Sequence, residues 1–211
     1  VRAASFAILG LAAAQDPTRP HLAQAWSAQS TGDGLQGEIG MEHYLFTDKE
    51  SHHAWDYGDA GSKIWNCHGP YNCIVYYVKL QGPSCCKCED VDEPKQWDIA
   101  AKDSFFAKTF FVGIEDTTEL NGNPVKGVEH WRTHDKVPGL NVSYEYFLHR
   151  EDNGDVISHR IDFGASEGSQ GSILYGDFQV AHDLDEHRKH FDVPEVCTGN
   201  ILKCCGDKVA A

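Results

Sequence analysis

Residues 141–163, NVSYEYFLHREDNGDVISHRIDF, constrain the fold more than any other stretch, because two β-prone runs meet there at Asn153-Gly154. Both central residues of a type I′ turn need positive φ, and Asn-Gly supplies that at little cost, so the stretch predicts a β-hairpin. The turn then sets the register: Tyr146 opposite Ile161, Tyr144 opposite Phe163, and Leu148 opposite His159. Side chains alternate faces along a strand, so Val142, Tyr144, Tyr146, Leu148, Ile157, Ile161 and Phe163 share one face. Ser143, Glu145, Ser158, Arg160 and Asp162 share the other, with Phe147 as the one large apolar exception. A hairpin alone is marginal in water, so the aromatic face requires a covering layer or a bound ligand.

Strand signals recur around it. Residues 41–47, 51–65 (strand, Gly-Asp-Ala-Gly turn, strand) and 73–80 (CIVYYVKL) read as strands, as do 109–114 and 125–132 about the turn Asn121-Gly122-Asn123-Pro124. Residues 172–180 read as a short strand or a strand with a bulge, and 16–30 as either a short helix or an extended lead-in. Residues 81–93 read as loop, and 96–108 as a short helix. Short strand intervals without long helical periods predict a mainly β (α+β) fold, an antiparallel sheet with one or two short helices.

The chain has 211 residues and 41% hydrophobic content, enough for one domain with a core. Its net charge of −14 disfavours nucleic acid and anionic lipid surfaces as partners. Residues 1–14, VRAASFAILGLAAA, have the order of a secretory signal peptide and are too short to span a bilayer. Residues 15–211 are then the mature domain, with no stable membrane insertion. Eight cysteines, two pairs of them adjacent, fit an oxidising compartment. Secretion, or the lumen of the secretory-lysosomal pathway, is the expected location. Asn141-Val142-Ser143 is a glycosylation sequon at the start of the hairpin.

Motifs for chemistry are few. His182, His187 and His190 fall in HDLDEHRKH, a spacing that matches no zinc-protease helix, so a solvated polar segment is the expectation. No CxxC occurs, so the clustered cysteines read as disulfides and not as a zinc site or redox centre. No GxSxG, P-loop or GxGxxG is present. Neither an enzymatic activity nor a metal site is expected.

Trp131, the Tyr144-Glu145-Tyr146 strand and the segments SILYGDFQV and HFDVPEVC together resemble the ependymin-related proteins, a secreted group whose fold is similar to the lipoprotein carriers LolA and LolB. The family's closing signature of aromatic, proline and cysteine corresponds to Phe191, Pro194 and Cys197. Residues 88–106, CEDVDEPKQWDIAAKDSFF, resemble its mid-chain cysteine, Trp-Asp and short helix. The chain departs from the family in clustering Cys85, Cys86 and Cys88 and in carrying Cys204 and Cys205. The resemblance implies a strongly curved antiparallel sheet, or half-barrel, with helices over its open side enclosing an apolar cavity. It also implies an association with calcium and a bridge from Cys197 to Cys88 or Cys86; Cys73 or Cys67 is expected to join Cys204 or Cys205.

The expected function is a non-enzymatic binding protein that holds a hydrophobic, lipid-like ligand. Tyr144, Tyr146, Leu148, Ile161, Phe163 and Trp131, with Trp55 and Trp65 from the first half, are the expected cavity lining. Tyrosine hydroxyls there can orient a polar end. No cofactor is expected apart from weak calcium, and a homodimer is left open. The alternatives are an extracellular structural or interaction protein with a packed core, and a His/Asp/Glu metal-binding protein.

Overall fold

The computed structural model describes residues 20–31, 39–47, 49–58, 61–68, 73–79, 84–91, 109–133, 142–151, 155–165, 170–199 and 201–204. The expected signal peptide, the helix at 96–108, Asn141, the Asn153-Gly154 turn and Cys205 lie outside these residues.

Among the described residues, thirteen strands form one sheet. In chain order they are β1 (His21–Leu22), β2 (Ala25–Ser30), β3 (Gly40–Phe46), β4 (Ser51–Asp56), β5 (Ser62–Cys67), β6 (Cys73–Lys79), β7 (Ser84–Val91), β8 (Thr109–Thr118), β9 (Pro124–Thr133), β10 (Val142–Arg150), β11 (Asp155–Ala165), β12 (Gln170–Val180) and β13 (Leu202–Lys203). Their spatial order is β13-β7-β6-β5-β4-β3-β2-β12-β11-β10-β9-β8, with β1 beside β11. β2 to β12 pair antiparallel, and the two-residue strands β1 and β13 add in parallel. Two antiparallel runs, β2 to β7 and β8 to β12, are therefore joined where β2 meets β12. The sheet bends back on itself at the β8 end. The turn Leu120–Gly122 between β8 and β9 reaches past β10 and β11, so that a Cβ at Gly176 of β12 would lie 3.1 Å from that of Leu120.

The expected mainly β architecture is present, with two local corrections. Residues 84–91, expected as loop, form β7, which pairs antiparallel with β6. Of the two readings left open for 16–30, a short helix or an extended lead-in, its described part takes the extended one, as β1 and β2. In the central hairpin Tyr144 pairs with Phe163 and Tyr146 with Ile161 as expected, but Leu148 pairs with Ser158 and not with His159. A β-bulge between Phe147 and Leu148 inserts one extra residue into β11, and a one-residue slip exchanges the two faces beyond it. Val156 and Ser158 thus join Leu148 on the inner face, where Val156 is 1% exposed, and Ile157 moves to the outer face opposite His149.

The single α-helix among the described residues, α1 (Leu184–Arg188), is capped by the Asp183 carboxylate, which accepts from the backbone N–H of Asp185 and Glu186 at 3.0 and 3.1 Å. With the 3-10 turn Lys189–Phe191 it covers Ala25, Leu45, Ala54 and Ile64, through Leu184 and Phe191. Arg188 anchors it to Glu50 at 2.8 Å. This face is opposite the one that carries Trp26 and Tyr44. The described helix packs on that side, and the expected helix at 96–108 lies outside the described residues.

Disulfides fasten the C-terminal segment to the β6–β7 edge, with a different pairing from the one expected. Cys197 joins Cys85, Cys86 joins Cys204, and Cys67 joins Cys73 across the β5–β6 pair. Cys88 is also disulfide-bonded. Adjacent residues of a strand point to opposite faces, so Cys85 and Cys86 reach different partners. Cys85 enters the cluster with Val78 and Cys197, and Cys86 faces Cys204 beside β13.

Candidate functional site

Cross-strand register places one row of side chains on a single face over most of the sheet. In the second half, Phe111 lies opposite Trp131, Trp131 opposite Tyr146, Tyr146 opposite Ile161, and Ile161 opposite Ile173. In the first half, Trp26 lies opposite Tyr44, Tyr44 opposite His53, His53 opposite Trp65, and Trp65 opposite Val75. Tyr175 joins the halves by packing edge-on against Trp26 at 6.0 Å between ring centroids. Phe178 stacks on the same indole at 4.9 Å. Directly opposite residues share a face, so the row is one continuous aromatic surface from β8 to β6.

The expected lining residues whose side chains are described, Tyr144, Tyr146, Leu148, Ile161, Trp131, Trp55 and Trp65, lie on this face. Tyr146, Leu148 and Trp131 form one buried cluster with Val156, against which Phe111, Tyr144 and Ile161 pack. Trp131 and Tyr146 are 2% and 4% exposed. Burial pushes the Tyr146 phenol well above its ordinary value, with the neighbouring Tyr144 and Tyr175 adding to the shift. Trp55 and Trp65 lie in the other half, where Trp55 packs against His53 at 3.7 Å. The backbone of Phe163 pairs with that of Tyr144. The structure therefore distributes the expected lining between two clusters and links them through residues that the sequence reading passed over: Trp26, Tyr44, His53, Tyr175 and Phe178. Their signal was present as Trp26 and Tyr44 in short alternating runs, but which face of those runs was buried depended on the partner strand.

Polar groups are set into this surface at two places. At β9, Glu129 accepts from Arg150 at 2.8 and 2.9 Å and from the Trp131 indole at 2.9 Å. Burial works against its charged form and those donors outweigh it, holding the carboxyl below the usual range. At β3–β4, the buried His53 Nε2 lies 2.6 Å from a Glu42 carboxylate oxygen. Two groups beside it are unsatisfied: the indole N–H of Trp26 and that of Trp65 are buried with no hydrogen-bond partner among the described residues. A buried donor without an acceptor costs about 1 to 3 kcal/mol. Most buried polar atoms in proteins are paired, so the two indoles, together with the buried and unpaired Ser158 hydroxyl on the same face, set this face apart from an ordinary core.

Of the histidines of HDLDEHRKH, His182 and His190 are exposed as expected for a solvated segment, while His187 departs from that expectation. His187 is 4% exposed, and its Nε2–H donates to the Tyr44 carbonyl at 2.9 Å. His190 is exposed and stacks on His43 at 3.8 Å, and His187 lies 5.2 Å from His190. Among the described residues no three His, Cys, Asp or Glu side chains are placed to hold a metal ion. Two surface depressions lie away from the aromatic row. One, of about 490 Å³, is lined by Ser143, Glu145, Arg160, Asp162 and Ser172 on the outer polar face, and the other by Gln29, Ile39, Gly40, Met41 and Asp56.

No protein-family model matches the chain, and a search of curated proteins finds no match. Among solved structures, a putative outer membrane lipoprotein-sorting protein domain from Vibrio parahaemolyticus is similar at 11% identity and a TM-score of 0.39, over 79% of this chain and 88% of that one. A likeness of that size carries no argument about what this chain binds.

Proposed function

We propose that the protein is a non-enzymatic carrier or store for a lipid-like molecule, held against the aromatic face of the bent sheet. The observation that carries this reading is the continuous row from Phe111 to Val75, interrupted by two buried indole N–H groups that no atom of the described residues accepts from. Such a surface combines apolar area with a few fixed polar groups, the usual composition of a site for small apolar ligands. Disulfides at Cys67, Cys85 and Cys86 fit an oxidising compartment, so the proposed location is extracellular or in a secretory lumen. Weak calcium binding at the acidic surface is compatible with this role and is not required by it. The resemblance to the ependymin-related proteins points to the same ligand class.

A second reading is favoured by the tight burial of Trp131, Tyr146 and Leu148, at 2%, 4% and 1% exposure. These side chains also suit a packed interior, as in an extracellular structural or interaction protein. A fatty acid brominated along its chain separates the two, because bromine quenches tryptophan fluorescence only at contact. Four of the five tryptophans, Trp26, Trp55, Trp65 and Trp131, lie on the aromatic face, so saturable and deep quenching is expected. No quenching at concentrations that load a known fatty-acid carrier would favour the packed interior.

A further inference from the structure

We infer that the aromatic face takes an amphiphile with a carboxylate head, and that the head sits at β4–β5 beside His53. There the indole N–H groups of Trp26 and Trp65 are the donors awaiting it. This inference rests on the proposed function and narrows it to one chemical class. An indole nitrogen donates one hydrogen and accepts none, so a buried indole N–H is satisfied only by an oxygen lone pair or its equivalent. Both orphaned donors flank one imidazole. Trp26 packs edge-on to His53 at 6.5 Å between ring centroids, and Trp65 is the residue directly opposite His53 on β5. Trp26 is 5% exposed, which removes bulk water as its partner.

A positive charge stands beside this pair. Lys63 lies opposite Trp55 on the same face, with its ammonium 4.7 Å from the Trp65 ring, 5.2 Å from Trp55 and 5.4 Å from Tyr77. Two N–H donors and an ammonium favour a charged acceptor with two oxygens over an alcohol or an ester, since hydrogen bonds to an ionised acceptor are about twice as strong. Glu42, whose carboxylate lies 2.6 Å from His53, accepts from neither indole. From β4 the aromatic row continues over β3, β2 and β12 to β11, past Tyr44, Trp26, Tyr175 and Ile161. Four strand spacings of about 4.8 Å span roughly 19 Å, the length scale of a long acyl chain.

The test is equilibrium binding of oleic acid and methyl oleate to the full disulfide-bonded chain at neutral pH. These probes share a hydrocarbon chain and differ in the charge of the head. Oleic acid is expected to bind about tenfold more tightly. Trp65→Phe keeps a ring in place and removes only the donor, so it should abolish most of that preference and bring the acid-to-ester affinity ratio close to one. Trp26→Phe serves as the second variant, with circular dichroism confirming the fold of each. Equal affinity for acid and ester would overturn the head-group inference while leaving the aromatic-face reading intact. A preference that survives both substitutions would overturn the placement of the head, and failure of both probes to bind would overturn the aromatic-face reading itself.

Discussion

His43, His187 and His190 join β3 to the C-terminal helix, and the burial of His43 and His187 couples that junction to pH. Burial is the main cause holding His43 down to about 4, with His190, His187 and His53 adding repulsion to its charged form. Burial lowers His187 as well, against the hydrogen bond to Tyr44 that acts the other way. An unfolded histidine titrates near 6.5, so between about 6.5 and 4 the unfolded chain takes up a proton that folded His43 refuses. The associated stability is fully present above pH 6.5 and is lost as pH falls toward 4. Melting temperature followed over that window should therefore decline more gently in His43→Gln than in the wild type. Parallel curves would contradict the assignment. None of this was legible in HDLDEHRKH, because spacing along a short helix says nothing of which strand lies beneath it. What turns His187 inward is the Tyr44 carbonyl, and residue 44 is far away in the chain.

The central hairpin shows which parts of an element a local pattern decides. Tyr144, Tyr146, Ile161 and Phe163 take the partners that alternation and an Asn-Gly turn predict. Beyond Phe147 the pattern fails, because a bulge leaves no compositional mark that separates His159 from its neighbours. The slip is explained by what it buries: Val156 enters the Leu148 cluster in place of Ile157. β7 was missed for a related reason. Its sequence SCCKCEDV has no apolar alternation, and what holds it in the sheet is pairing to β6 together with its disulfides. The pairing itself follows from strand geometry, once 84–91 is known to be a strand: Cys85 and Cys86 must face apart. Peptide mapping without reduction should recover Cys67–Cys73, Cys85–Cys197 and Cys86–Cys204. Cys85 and Cys197 are 112 residues apart, and closing a loop of that order restrains the unfolded chain by about 4 to 5 kcal/mol. Cys197→Ser should accordingly lower the denaturant midpoint sharply, by a loss approaching that size. A midpoint within error of the wild type would contradict a structural role for this bridge.

At the scale of the molecule, two antiparallel runs meet at β2 and β12 and merge their aromatic faces. Each run was partly visible in the sequence, the second as the hairpin and the first as Trp55, Trp65 and the 73–80 run. Their union was not, since it depends on Tyr175 crossing to Trp26 between segments about 150 residues apart in sequence. That union turns two aromatic clusters into one surface long enough for an acyl chain. The direct measurement is native mass spectrometry of gently purified protein, followed by solvent extraction and lipid mass spectrometry of the same sample. A single apolar amphiphile retained at close to one per chain, released on denaturation, is the predicted result. A chain of bare protein mass from which no apolar molecule is extracted, and which does not take one up when offered, would contradict the account.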